Sequence, residues 1–215
     1  MGLWDIITGA DQERDRNAAI RNFAYNAGMV YSESAAIGML KQLQAFELFK
    51  QGTQRKLKNL IIDREMAPEH FMFDYDYTIS TGKSSHTYSQ SVQFFDSKAL
   101  SLPQFRLKPE NFFDVLIEWF GFKDIDFNTH PEFSKEFKLT GEFESVIRYY
   151  FDSDILNLIE QQKEFNMEGM NFYLVIHTQH KVLPVQQLDG FKKFGTMLFE
   201  LFKLRSQKSL EEFEI

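Results

Sequence analysis

Asp74 and Asp76 stand two residues apart in the run FMFDYDYTIS (71–80). In an extended chain that spacing puts both carboxylates on one face, roughly 7 Å apart by strand rise. Two carboxylates so placed can divide the acid and base roles of a hydrolysis between them. A second set is built on histidine. His177 and His180 in the sequence HTQH, with His130 and Asp126 or Glu132, are residue types that ligate a transition metal. Each set also has a plainer reading. The segment facing Asp74 and Asp76 supplies Thr87, Ser89, Ser91 and Gln93, the composition of a solvated sheet face. His130 precedes Pro131 and suits a residue that orders its loop by bonding to backbone. His177 lies near a strand end and His180 in a turn, so their rings need not converge.

More specific motifs are missing. The chain holds no G-x-S-x-G elbow, no P-loop and no G-x-G-x-x-G. It has no cysteine, which removes thiolate nucleophiles, disulfides and Cys-ligated zinc. The net charge of -7 argues against a general nucleic-acid binder, which needs a basic surface to displace counterions. No catalytic, cofactor-binding or metal residue is therefore assigned, and no cofactor is expected.

The elements that would position these residues follow from periodicity. Phe71, Phe73, Tyr75, Tyr77 and Ile79 alternate with Met72, Asp74, Asp76, Thr78 and Ser80. After a turn at Gly82-Lys83, Tyr88, Val92 and Phe94 continue the apolar face. This predicts a hairpin with one buried and one wet face. LPQFRL predicts a short strand whose Pro103 suits an edge or a strand start. Pro109 to Gly121 predicts a helix with Phe112, Phe113, Leu116, Ile117 and Phe120 on its apolar side. Pro131 opens a single turn, FKLTG makes a strand, and Phe143, Val146, Ile147, Tyr150 and Phe151 fit a helical stripe. Ser153 caps another helix. A second hairpin is expected to turn near Gly169, with a central second strand that is apolar on both faces. Pro184 opens the last helix, with Leu188, Phe191, Phe194, Leu198, Leu201 and Phe202 on a wide apolar stripe.

Residues 1–62 are predicted as a helical arm, either an αα-hairpin or one long helix. Asp11 is its N-cap. Ile20, Phe23, Ala24, Ala27 and Tyr31 form one stripe, and Met39, Leu43, Phe46, Thr53, Leu57 and Leu60 a weaker one. Small residues, among them Gly28, Ala35, Ala36 and Gly38, permit close helix approach. Phe23, Gly28, Leu43, Phe46 and Leu57 are accordingly the candidate interface of a homo-oligomer. No apolar run reaches the 18 residues of a membrane span. Leu3, Trp4, Ile6 and Ile7 offer the alternative of an interfacial membrane helix.

The runs GKSSHTYSQSVQFFDS (82–97), LPQFRLKPENFF (102–113) and DIDFNTHPEFSKEFKLTGEFESVIRYYF (124–151) resemble a family of uncharacterised bacterial proteins. The resemblance covers about a third of the chain and implies a shared domain. Some members of that family carry transmembrane helices ahead of it. No activity is implied.

The expected architecture is α+β: an antiparallel sheet of about five strands covered on one face by helices. The arm spans 1–62, the domain 63–205 and a frayed acidic tail 206–215. The expected function is a non-enzymatic interaction or structural module that self-associates through the arm. The alternatives are a small metal-dependent hydrolase using the Asp126/His130 loop and His177, and a peripheral membrane adaptor. The expected location is cytoplasmic, or peripheral at the inner face of a membrane.

Overall fold

The structure is a computed structural model that describes residues 3–34, 37–64, 69–110 and 123–213. Its helices are α1 (Leu3–Asn26), α2 (Ile37–Leu43), α3 (Pro131–Glu136), α4 (Glu144–Tyr150), α5 (Ser153–Glu160) and α6 (Leu188–Phe213). Its strands are β1 (Val30–Ser34), β2 (Thr53–Asp63), β3 (Glu69–Ser80), β4 (Ser85–Asp96), β5 (Leu102–Pro109), β6 (Phe137–Gly141), β7 (Phe165–Asn171) and β8 (Tyr173–Thr178). The strands form one antiparallel sheet in the order β1-β2-β3-β4-β8-β7-β5-β6. The α+β class holds, with eight strands rather than about five.

The extra strands come partly from the segment expected as a helical arm. β2 carries left-handed residues at Gln54 (φ 51) and Asn59 (φ 54), and its pairing with β3 slips beside each. A bulge inserts one residue and resets the alternation. Leu57 and Leu60 therefore share a face at a spacing of three, which imitates a helical turn. α1 itself starts well before Asp11, so Asp11 lies inside it. It ends where the sequence has Gly28. There Met29 N–H donates to the Ala24 carbonyl (2.8 Å) and Gly28 N–H to that of Tyr25 (3.1 Å), with Gly28 at φ 69. This pair of bonds is a Schellman stop, so Gly28 serves the turn into β1.

Both faces of the sheet are covered. Phe73, Tyr75, Tyr77, Val92, Phe94 and Val175 belong to a core closed by α2 and the 3-10 turn Glu47–Lys50. Leu43, Phe46 and Leu57 lie inside this core, and the Phe46 ring stands edge-on to Phe94 and Tyr173. Phe23 packs half-buried against the other core. The candidate interface thus folds back on its own chain, which satisfies the same apolar surface that motivated an oligomer.

The opposite face, expected to be wet, carries the larger core. Met72, Phe95, Leu174 and Ile176 meet Ile20 and Ala24 of α1 and Leu198, Phe199 and Phe202 of α6. Its polar residues are buried too, each by a specific pairing. Gln93 donates to the Phe191 carbonyl (2.7 Å) and bonds the His70 ring at 2.9 Å. A Cβ on Gly195 would meet the Gln93 amide at 2.4 Å, so this glycine lets α6 lie against the sheet.

Smaller differences have local causes. The β7–β8 turn falls at Asn171 (φ 53), and Gly169 sits within β7 because the Phe105 ring occupies its side-chain space. Pro103 falls where the β5–β7 register shifts, as a strand proline must. Asp152, not Ser153, caps α5, accepting from Ile155 N–H. α6 runs through Phe213, so most of the expected tail is helix. Pro109, expected to open a helix, instead ends β5 opposite Phe137, and the rest of that expected helix from 111 to 121, with Ala35 and Ala36, lies outside the described residues. Among the described residues no helix is long and apolar enough to cross a membrane.

Candidate functional site

Asp74 is the most heavily bonded of the residues singled out by sequence. It is 4% exposed, at the middle of β3. Arg16 of α1 reaches it with Nε (2.8 Å to Oδ2) and Nη2 (2.8 Å to Oδ1), the paired geometry that suits a guanidinium. Asn59 Nδ2 donates to Oδ2 at 3.1 Å, and Ser91 Oγ to Oδ1 at 3.2 Å. The network runs outward from there. Tyr31 Oη donates to Asn59 Oδ1 (2.8 Å), Arg16 Nη1 donates to the Leu183 carbonyl (2.8 Å), and Leu183 N–H donates to Ser91 Oγ (2.9 Å). Four segments meet at one carboxylate, and Tyr31 and Leu183 tie two more into the network. Asp76 instead pairs with Lys58 (2.8 Å), which also reaches Glu13 (3.0 Å). Burial, then the nearby Glu33, pushes the Tyr31 phenol up. The two aspartates thus have separate cationic partners, and the space beside Asp74 is a cavity of about 10 Å³. That is room for about one water.

The histidine set is not brought together. His130 precedes α3, and its Nδ1 lies 3.0 Å from Thr129 Oγ1. Its backbone carbonyl accepts from Ser134, so the backbone rather than the ring orders this turn. Asp126 is exposed and offers its carbonyl to Arg148. Glu132 is exposed beside Lys135. His177 lies on β8, with β7 and β5 between it and β6. Its Nδ1–H donates to the Thr178 carbonyl (3.0 Å), and burial holds the ring neutral with a pKa lowered to about 3. His180 (φ 47) curls back to Tyr77 Oη at 3.1 Å and packs on Tyr88. Among the described residues no group of three or more acidic or histidine side chains is disposed to hold a metal ion.

Two charged residues escaped the sequence reading. Glu168 of β7 and Arg106 of β5 are cross-strand neighbours, 6% and 7% exposed. Glu168 accepts the Glu47 and Leu48 N–H groups at 2.9 and 3.3 Å, fastening the 3-10 turn to the sheet. Burial pushes its carboxyl up, while Arg106 and the two N–H donors pull it down. A cavity beside it is again about 10 Å³. A signal existed for Glu168, a lone charge inside β7, whereas Arg106 shares β5 with Lys108. Arg16 had one as well, standing four residues before Ile20 and eight before Ala24 on the buried stripe.

No family model matches the chain, and no curated protein matches it. Among solved structures it is similar to the crystal structure of the mycobacterial trehalose monomycolate transport factor A, TtfA. The TM-score is 0.61 at 12% identity, covering 89% of this chain and 94% of that one. The two share a fold.

Proposed function

We propose that this chain is a non-catalytic module that acts by binding, as an accessory to a membrane transport system. What supports this is how its buried polar groups are used. Asp74 and Glu168, well placed for chemistry by type, are spent on joining segments of the fold, and His177 is buried with its Nδ1–H on the neighbouring Thr178 carbonyl. The spaces beside the two carboxylates hold about one water each, not a substrate. The transport role is drawn from TtfA, whose fold spans nearly the whole of both chains. The test is photo-crosslinking in cells from the exposed side chains at Phe143, Phe172, Met197 and Leu204. The expected result is a recurrent partner belonging to a membrane transporter. A hydrolytic activity abolished by His177→Gln in a folded protein would refute the proposal.

A second reading adds peripheral attachment at the inner face of a membrane through residues 3–7. Its support is the sequence of the start of α1, where the apolar Leu3, Trp4, Ile6 and Ile7 precede the exposed polar residues Asp11 to Asp15. Co-sedimentation with anionic liposomes, compared with a variant lacking residues 1–10, tests it. Equal pelleting of both would dismiss it.

A further inference from the structure

One cleft in the molecule is of a different size from the water-sized cavities. It measures about 390 Å³ and opens between the α5–β7 turn, the loop after β8 and the first turns of α6. That volume lies within the range of small-molecule sites, about 300–1,000 Å³. Its floor is apolar: Phe165, Leu183, Phe191 and Phe194, with the Phe165 and Phe194 rings edge-on at 4.9 Å. Its rim is polar. Gln186 and Gln187 supply amides, and the charged groups are two ammoniums, Lys163 and Lys181, against one carboxylate, Glu164. The two ammoniums are balanced by Glu164 and, just outside the lining, Glu136, and the N-terminal end of the α6 dipole adds a positive field.

Lys181 pairs with Glu164, and Lys163 with Glu136, in bonds between largely exposed groups. Exposed pairs of this kind contribute little to stability, so an arriving anion can replace either partner at little cost. The lips are also strained. Glu164 (φ 63) lines the cleft and His180 (φ 47) adjoins its Lys181, both left-handed without being glycine. Such backbone is sparsely populated and clusters at ligand sites. A Cβ built on Gly190 meets nothing within 4 Å, so the cleft is open at that wall.

We infer that this cleft is a binding site for a small anionic amphiphile, with its apolar group on the phenylalanine floor and its carboxylate at Lys181 and Lys163. It is independent of the transport role proposed above.

Calorimetric titration of the full chain with octanoate, below its aggregation concentration, tests the assignment. Octyl glucoside serves as the neutral-headed comparison. Saturable 1:1 binding of octanoate is expected, at least tenfold tighter than octyl glucoside. Gly190→Leu, which fills the open wall, should weaken octanoate at least tenfold with thermal melting unchanged. Lys181→Gln should weaken it severalfold and leave octyl glucoside unaffected. If Gly190→Leu does not fold, Lys181→Gln decides. No saturable octanoate binding, equal affinity for both amphiphiles, or indifference of a folded variant to the substitution overturns the inference.

Discussion

Arg16→Met removes the guanidinium from Asp74 while keeping most of the stem that packs beside it. The carboxylate left behind has a side chain 5% exposed and keeps only the neutral donors Asn59 and Ser91. Breaking a buried pair from one side costs about 3–5 kcal/mol, because the remaining charge has lost both water and partner. Arg16 retains 21% side-chain exposure, so water can partly replace it, and the lower end applies. A loss of about 3 kcal/mol corresponds to roughly 6–12 °C in Tm for a chain of this size. Urea unfolding at pH 7 measures the loss. Hydrogen exchange over residues 16–26 locates it, since α1 should open before the sheet. Arg16→Met/Asp74→Asn should return to within about 1 kcal/mol of wild type, the buried charge being gone, the amide oxygen accepting from Asn59 and the new NH2 donating to Ser91 Oγ. A single variant losing under about 1 kcal/mol, or a double variant no better than the single, would refute the claim that this pair docks α1.

Three further outcomes are expected. Phe46→Asp should lower stability by at least the ~3–5 kcal/mol of a Phe→Ala truncation, with the sedimentation mass unchanged, because Phe46 packs within its own chain; a smaller species with unaltered melting would restore the oligomer interface. Gly195→Ala should destabilise by about 1–3 kcal/mol in thermal melts despite the gain in helix propensity, because its Cβ meets the Gln93 amide at 2.4 Å; a stabilised variant would mean that α6 does not lie so close. Burial lowers the pKa of His70 to about 4 and of His177 to about 3, from 6.5 in the unfolded chain. The unfolded chain therefore binds the extra protons, so stability is full above about pH 6.5 and falls as pH drops towards 3–4, by up to ~1.4 kcal/mol per pH unit for each histidine. Denaturant melts at pH 7.5 and 5.0 should show a smaller difference for His70→Gln/His177→Gln than for wild type. Glu168 acts in the opposite sense, but both proteins keep it. Equal differences would show that the rings are not held neutral.

The parts of the fold that were legible are those where one periodicity ran unbroken. β3 and β4 pair in register from Glu69–Asp96 to Ser80–Ser85, and β8 sits in the interior of the sheet as its two apolar faces require. Legibility failed where a single residue altered the period. Asn59 turns the alternation of β2 into a helical imitation, so the residues on either side carry the pattern of a helical arm. It failed differently at Asp74. A strand face bearing Asp, Thr, Ser and Gln has the same composition whether it meets water or a helix that carries matching donors. The difference lies in Arg16, 58 positions away, and no local window contains both. The same holds for the candidate site. A carboxylate pair at strand spacing is compatible with catalysis only if both groups face a shared space. Here Arg16 claims one aspartate and Lys58 the other, and both serve to hold α1 on the sheet. The chemistry in the β3 sequence is that of a latch for a helix, and a space large enough for a ligand lies among the described residues at the start of α6, where the sequence shows glutamines, lysines and a core stripe.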